Sequence, residues 1–188
     1  KQLKGYRYLA GYDLLNEPVL REGQEGLLKD FYAQATEAIR KEDPDHLIFI
    51  EGNRFSMDFH GIELPELERC AYTYHFYPAV WDERLADPTL SAEERYKGFR
   101  LAHERILESF DNDPGALLCG ETGFELQRTG EKCGLRMLED VLRILEASEI
   151  SWCVWAYKDS GMMGLCVPSQ EAGPADFSGL FPELSDGN

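Results

Sequence analysis

Gly11-Tyr12-Asp13-Leu14-Leu15-Asn16-Glu17-Pro18 reads as an apolar strand that runs out into a loop and leaves a glutamate at its end. A second stretch repeats the plan: Ala116-Leu117-Leu118-Cys119 closes on Gly120-Glu121-Thr122-Gly123. Each sets one carboxylate where a strand gives way to a loop. Two carboxylates brought together from different strands are the machinery of glycosidic bond cleavage. Parallel barrels, in turn, place their chemistry at the carboxyl ends of strands.

Between and beyond these stretches, apolar runs alternate with helical periodicity. The first strand is expected over Tyr8 to Leu15. A helix should follow from Gln24 to Lys41, burying Leu27, Leu28, Phe31, Ala35, Ala38 and Ile39. Asp43-Pro44 ends it, because the residue before proline avoids helical backbone. Leu47 to Glu51 is the second strand. Ala71 to Tyr77 is the third, and Pro78 terminates it. Ser91-Ala92-Glu93-Glu94 has the form of a capping box opening a helix that runs to Phe110. Ala116 to Gly120, a helix from Lys132 to Ser148 and a strand from Ile150 to Ala156 follow, and the chain beyond Gly161 reads mostly as loop. Such alternation predicts βα units and a parallel sheet. Five strands cannot close an eight-stranded barrel, which takes about 250 residues. The expected fold is therefore α/β, a partial (β/α)8 TIM barrel holding approximately strands four to eight, with residues 1–188 as a single domain.

At 188 residues, 43% hydrophobic and 29% charged, the composition is that of a globular domain. A net charge of −16 argues against a nucleic-acid or anionic-membrane partner, and a neutral polysaccharide would not be repelled. No apolar stretch approaches the length of a membrane span. The five cysteines are odd in number and lack Cys-x-x-Cys spacing, so neither a disulfide framework nor a zinc knuckle is indicated. Cys119 and Cys153 sit in strand-like runs and are expected to be buried. His46, His60 and His103 show no ligand spacing, and there is no His-Glu-x-x-His, phosphate-binding glycine loop or serine elbow. No metal and no cofactor is expected.

Asn16-Glu17-Pro18, His75-Phe76-Tyr77, Gly120-Glu121-Thr122-Gly123 and Trp155 occur in that order, each at the end of its strand. In this the chain resembles glycoside hydrolase family 5, the cellulase-like members of a clan of (β/α)8 glycosidases, over essentially its whole length. The resemblance implies that it is the carboxyl-terminal portion of a catalytic barrel. It implies Glu17 as general acid and then general base, and Glu121 as the nucleophile. Asn16 would bond the sugar 2-hydroxyl, Tyr77 would donate to Glu121, His75 would bond a sugar hydroxyl or a catalytic carboxylate, and Trp155 would floor the sugar subsite. A retaining mechanism would set the two carboxyl groups about 5–5.5 Å apart.

The remaining candidates are read from the residues alone. Trp81 is an outer sugar platform or has a surface or interface role. Lys158 and Asp159 bond distal sugar hydroxyls or belong to a plain loop salt bridge. Glu51 is a third carboxylate near the mouth, structural or in contact with substrate. Trp152 is expected in the core. The function implied by the resemblance is a retaining hydrolase of β-linked glucan, endo-β-1,4-glucanase-like, acting on a polysaccharide or oligosaccharide. A related β-mannanase or other β-glycanase stays open, as does a non-catalytic carbohydrate-binding half-barrel. The barrel would be completed by self-association or by an amino-terminal half. The resemblance favours secretion, although no signal segment is visible.

Overall fold

The structure is a computed structural model that describes residues 3–62, 64, 67–112, 114–124, 131–158 and 163–166. Five strands form one sheet in chain order: β1 (Gly11–Asp13), β2 (Leu47–Glu51), β3 (Cys70–Phe76), β4 (Leu117–Thr122) and β5 (Ser151–Val154). Every neighbouring pair is parallel. The longer crossovers are α1 (Glu25–Arg40), α4 (Ala92–Leu107) and α5 (Glu131–Ala147). Two short turns, α2 (Asn53–Ser56) and α3 (Pro78–Trp81), follow β2 and β3. The sheet curls as half of a (β/α)8 barrel, as expected. Among the described residues, no helix is long and apolar enough to cross a membrane.

The core lies against the middle strands. Residues Ala71 to Phe76 of β3 are all buried, as a strand covered on both faces of a parallel sheet must be. Phe99, His103 and Ile106 of α4 and Met137, Val141 and Leu145 of α5 close the outer side. Tyr74 meets His103 Nε2 through its hydroxyl at 2.7 Å. Burial pushes the His103 pKa down to about 4, so that ring is a neutral core residue. Arg95 and Asp140 tie α4 to α5 through a pair of guanidinium contacts at 3.1 and 2.9 Å. The capping box forms in full: Ser91 Oγ accepts from the Glu94 N–H and the Glu94 carboxylate accepts from the Ser91 N–H.

Three expectations change at the open edges. The first strand is only three residues long, and Tyr8 is fully outside it and exposed. In α1 the buried stripe is Leu28, Tyr32 and Thr36, while Leu27 and Phe31 are exposed. The stripe turns because Tyr32 is pulled inward to donate its hydroxyl to the Glu51 carbonyl at 2.8 Å. Trp152 and Cys153 are also exposed rather than buried, since β5 borders no further strand among the described residues. Leu135, one turn into α5, is likewise exposed. Alternation decides which residues share a face, and only a neighbouring element covers it.

Candidate active site

Four strand ends converge. Glu17 follows β1, Glu51 ends β2, His75 and Tyr77 stand at the end of β3, and Glu121 lies inside β4. His75 Nδ1 is 2.8 Å from Glu17 Oε1 and 3.5 Å from Glu121 Oε2. Tyr77 donates its hydroxyl to Glu121 Oε2 at 2.9 Å. One side-chain atom each from Glu17, His75 and Glu121 can be drawn within 4.8 Å of the others. Glu17, His75, Tyr77 and Glu121 are thus brought into a single cluster.

Local backbone produces this meeting. The β3–β4 ladder runs Tyr74 opposite Cys119 and then His75 opposite Glu121, which leaves Gly120 as an extra residue on β4. A bulge of this kind turns a strand and re-aims its side chains. Cys119 stays in the core with Tyr74, and Glu121 swings to the face that His75 occupies. Only glycine fits at the bulge, because a Cβ on residue 120 would stand 2.3 Å from Thr73 Oγ1. A Cβ on Gly123 would meet the Trp155 carbonyl oxygen at 2.3 Å. There the Trp155 N–H donates to the Thr122 carbonyl at 2.7 Å, which hangs the loop after β5 on the strand carrying Glu121. Gly123→Ala must therefore push β4 and β5 apart at the site. We expect a loss of about 1–3 kcal/mol in stability, as for overpacked cores, measured by urea titration.

The charge in the cluster is unusual. Burial alone would drive His75 toward neutrality, but the nearby Glu51 carboxylate, the hydrogen bond to Glu17 and the negative charge of Glu121 overcome it and raise its pKa to about 9. His75 is therefore an imidazolium at neutral pH. A protonated ring offers no lone pair, so a metal ion drawn to this spacing would first have to displace the His75 proton. Burial and Glu121 push the Tyr77 hydroxyl up, which keeps it a donor. The sign for stability follows by linkage. The folded chain holds the His75 proton more tightly than the unfolded chain, where imidazole titrates near about 6.5. That stabilisation is whole below about 6.5 and is lost as pH rises through about 9. Denaturation midpoints should fall across that window, and His75→Gln should flatten the fall.

The remaining candidates lie around the cluster. Asn16 is exposed next to Glu17. Trp155 is 51% exposed, and its peptide bond to Ala156 is cis. Trp81 is half exposed and packs on Phe55 with ring centroids 4.7 Å apart. Phe55 was not evident from the sequence. It sits in an irregular turn where Arg54, Phe55 and Ser56 all have φ between 53° and 61°, and its N–H donates to the Pro18 carbonyl at 3.3 Å. A groove of about 560 Å³ runs behind Tyr77 and Trp81 toward Arg84, Leu101 and Arg105, away from the glutamates. Lys158 is exposed in a parallel bridge with Cys166. Asp159 lies outside the described residues. Glu51 is not a surface contact for substrate, since its side chain is fully buried.

Comparison with known proteins resolves the kinship. The profile of Cellulase (glycosyl hydrolase family 5) matches residues 1–161. The chain belongs to glycosyl hydrolase family 5. Among its relatives, a beta-xylosidase of Phanerodontia chrysosporium is 31% identical over 175 residues, covering 87% of this chain and 36% of that protein. Endoglucanase N of Pectobacterium atrosepticum is 30% identical over 87 residues, 45% of this chain and 19% of that protein. The chain thus spans about a third or less of these relatives. In structure it resembles Cel5A of Thermotoga maritima in complex with a mannotriose substrate, with a TM-score of 0.69 at 18% identity, over 85% of this chain and 56% of that one. At that identity the likeness concerns the barrel fold.

Proposed function

We propose that the protein is a retaining glycoside hydrolase acting on a β-linked glycan, with Glu121 as nucleophile and Glu17 as acid and then base. One observation carries this reading: His75 Nδ1 lies within 3.5 Å of both carboxylates, so the two glutamates face one gap. Their nearest oxygens are less than 4.8 Å apart. That favours the close spacing of a nucleophile and acid over the wider gap, about 6.5–9.5 Å, that an inverting enzyme leaves for water. In the first step Glu121 attacks the anomeric carbon while Glu17 gives its proton to the departing oxygen. In the second, Glu17 takes a proton from water, which releases the sugar and frees Glu121. Tyr77 holds Glu121 in line through its hydroxyl. Asn16 bonds the 2-hydroxyl, and Trp155 offers its exposed indole to the apolar face of the sugar. Trp81, backed by Phe55, forms a more distant platform, and Lys158 reaches distal hydroxyls.

In this proposal the five strands are the carboxyl-terminal portion of one catalytic domain whose sheet an amino-terminal half, or a second copy, would complete. The substrate is an endo-cleaved β-1,4-glucan, in line with the endoglucanase relatives. A β-xyloside is the second reading, favoured by the similarity to the beta-xylosidase over most of this chain. Assays of the full natural chain on dyed β-glucan, xyloglucan and mannan and on aryl β-xyloside separate the two. Release of chain fragments from glucan supports the first, and hydrolysis of the aryl β-xyloside alone supports the second. Binding of glycan without turnover of any substrate would leave only a carbohydrate-binding module.

A further inference from the structure

The double displacement leaves one buried carboxylate without a task. Glu51 is wholly enclosed, yet it reaches Glu17 by two routes, one direct and one through His75. Its Oε2 accepts the Glu17 backbone N–H at 2.5 Å. Its Oε1 stands 3.4 Å from His75 Nε2, while the other nitrogen of that ring holds Glu17 Oε1 at 2.8 Å. Glu17 itself has φ of 47°, a left-handed backbone that a residue with a Cβ adopts only when its surroundings impose it. That N–H bond is what Glu51 supplies.

The surroundings of Glu51 hold it in place. Asp13 on β1 hydrogen-bonds it, and loss of water together with the Glu51 charge lifts the Asp13 pKa to about 6. Tyr32 on α1 anchors the Glu51 backbone carbonyl. From β3 come His75 and the buried Thr73, whose hydroxyl has no hydrogen-bond partner among the described residues. From β4 comes Glu121, acting through His75. Gly120 leaves room, since a Cβ there would press on the Thr73 hydroxyl, with the His75 ring in ordinary contact beyond it.

We propose that Glu51 is a positioning residue that grips Glu17 at both ends, its backbone N–H directly and its carboxyl through His75. This rests on Glu17 being the acid/base. Glu51 does not touch substrate. It fixes the direction in which the Glu17 carboxyl points, and it supplies the negative charge that keeps the imidazolium between the two glutamates.

Glu51→Gln tests the grip, because the amide oxygen still accepts the Glu17 N–H while the charge is gone. Removing one negative charge from a coupled cluster makes its protons leave at lower pH. The His75 imidazole, followed by NMR with labelled histidine, should then titrate at least about one unit below the midpoint found for the wild type. The alkaline limb of kcat/KM should move to lower pH. Turnover should fall about 10- to 100-fold, as for a small misplacement of a catalytic group, with KM nearly constant. An unmoved His75 midpoint and an unmoved limb would overturn the proposal, as would full activity. If the variant does not fold, the wild-type chain decides. A His75 midpoint near 9 with a Glu17 amide protected from hydrogen exchange supports the grip, and a midpoint near that of free imidazole, or an exchanging Glu17 amide, refutes it. The NMR readings do not require turnover. A chain that fails to hydrolyse glycans would thus defeat the proposed function while the contacts of Glu51 are still measured.

Discussion

Alanine at position 121 is expected to reduce turnover on the order of 10⁴-fold or more, the scale seen when a covalent nucleophile is removed. Tyr77 would lose its acceptor and His75 one of its carboxylates, but the Glu17–His75 contact at 2.8 Å would survive. The site would thus keep its acid and lose its attacking atom. Truncating the side chain also opens a space beside the anomeric carbon. Azide entering that space should restore part of the activity and yield a glycosyl azide of inverted configuration. Turnover close to wild type in Glu121→Ala would remove that residue from the chemistry.

Glu17→Ala should behave differently. General acid catalysis contributes about 10²–10⁴-fold, and its share depends on how badly the leaving group needs a proton. Hydrolysis of a glycan, whose leaving sugar is poor, should lose that full factor. An aryl glycoside with an acidic phenol should form its glycosyl-enzyme at nearly the wild-type rate and then stall, because no base activates water. Azide should relieve that stall and give a product of retained configuration. Opposite azide products from the two variants would distinguish acid/base from nucleophile. The same product from both would contradict the assignment.

The sequence carried the order of the site and the structure supplied its reach. Asn16-Glu17-Pro18, His75-Phe76-Tyr77 and Gly120-Glu121-Thr122-Gly123 could be placed because each ends an apolar run, and β2 falls over the residues expected for it. The capping box at Ser91 needs only neighbours three residues apart, so it too was legible. Three features were not. The bulge at Gly120 belongs to a pair of strands, so no single strand reveals it. Phe55 beside Trp81 depends on a left-handed turn built from Arg54, Phe55 and Ser56, none of them the glycine that would signal it. The burial of Glu51 was hidden because a strand-end glutamate ordinarily faces water. Its position follows from Tyr32, Asp13 and His75 closing around it. Exposure of Trp152 and Leu27 has the converse cause, an apolar residue at a sheet edge or helix flank with nothing described against it.

All of this depends on one carboxylate forming a bond to sugar carbon. A 2-deoxy-2-fluoro glycoside with a good leaving group slows release more than attack, so the glycosyl-enzyme accumulates and can be digested and sequenced by mass spectrometry. The expected result is one fluorosugar on the Glu121 side chain, in stoichiometric amount. A label on any other residue, or no label from a substrate whose products emerge with inverted configuration, would contradict it.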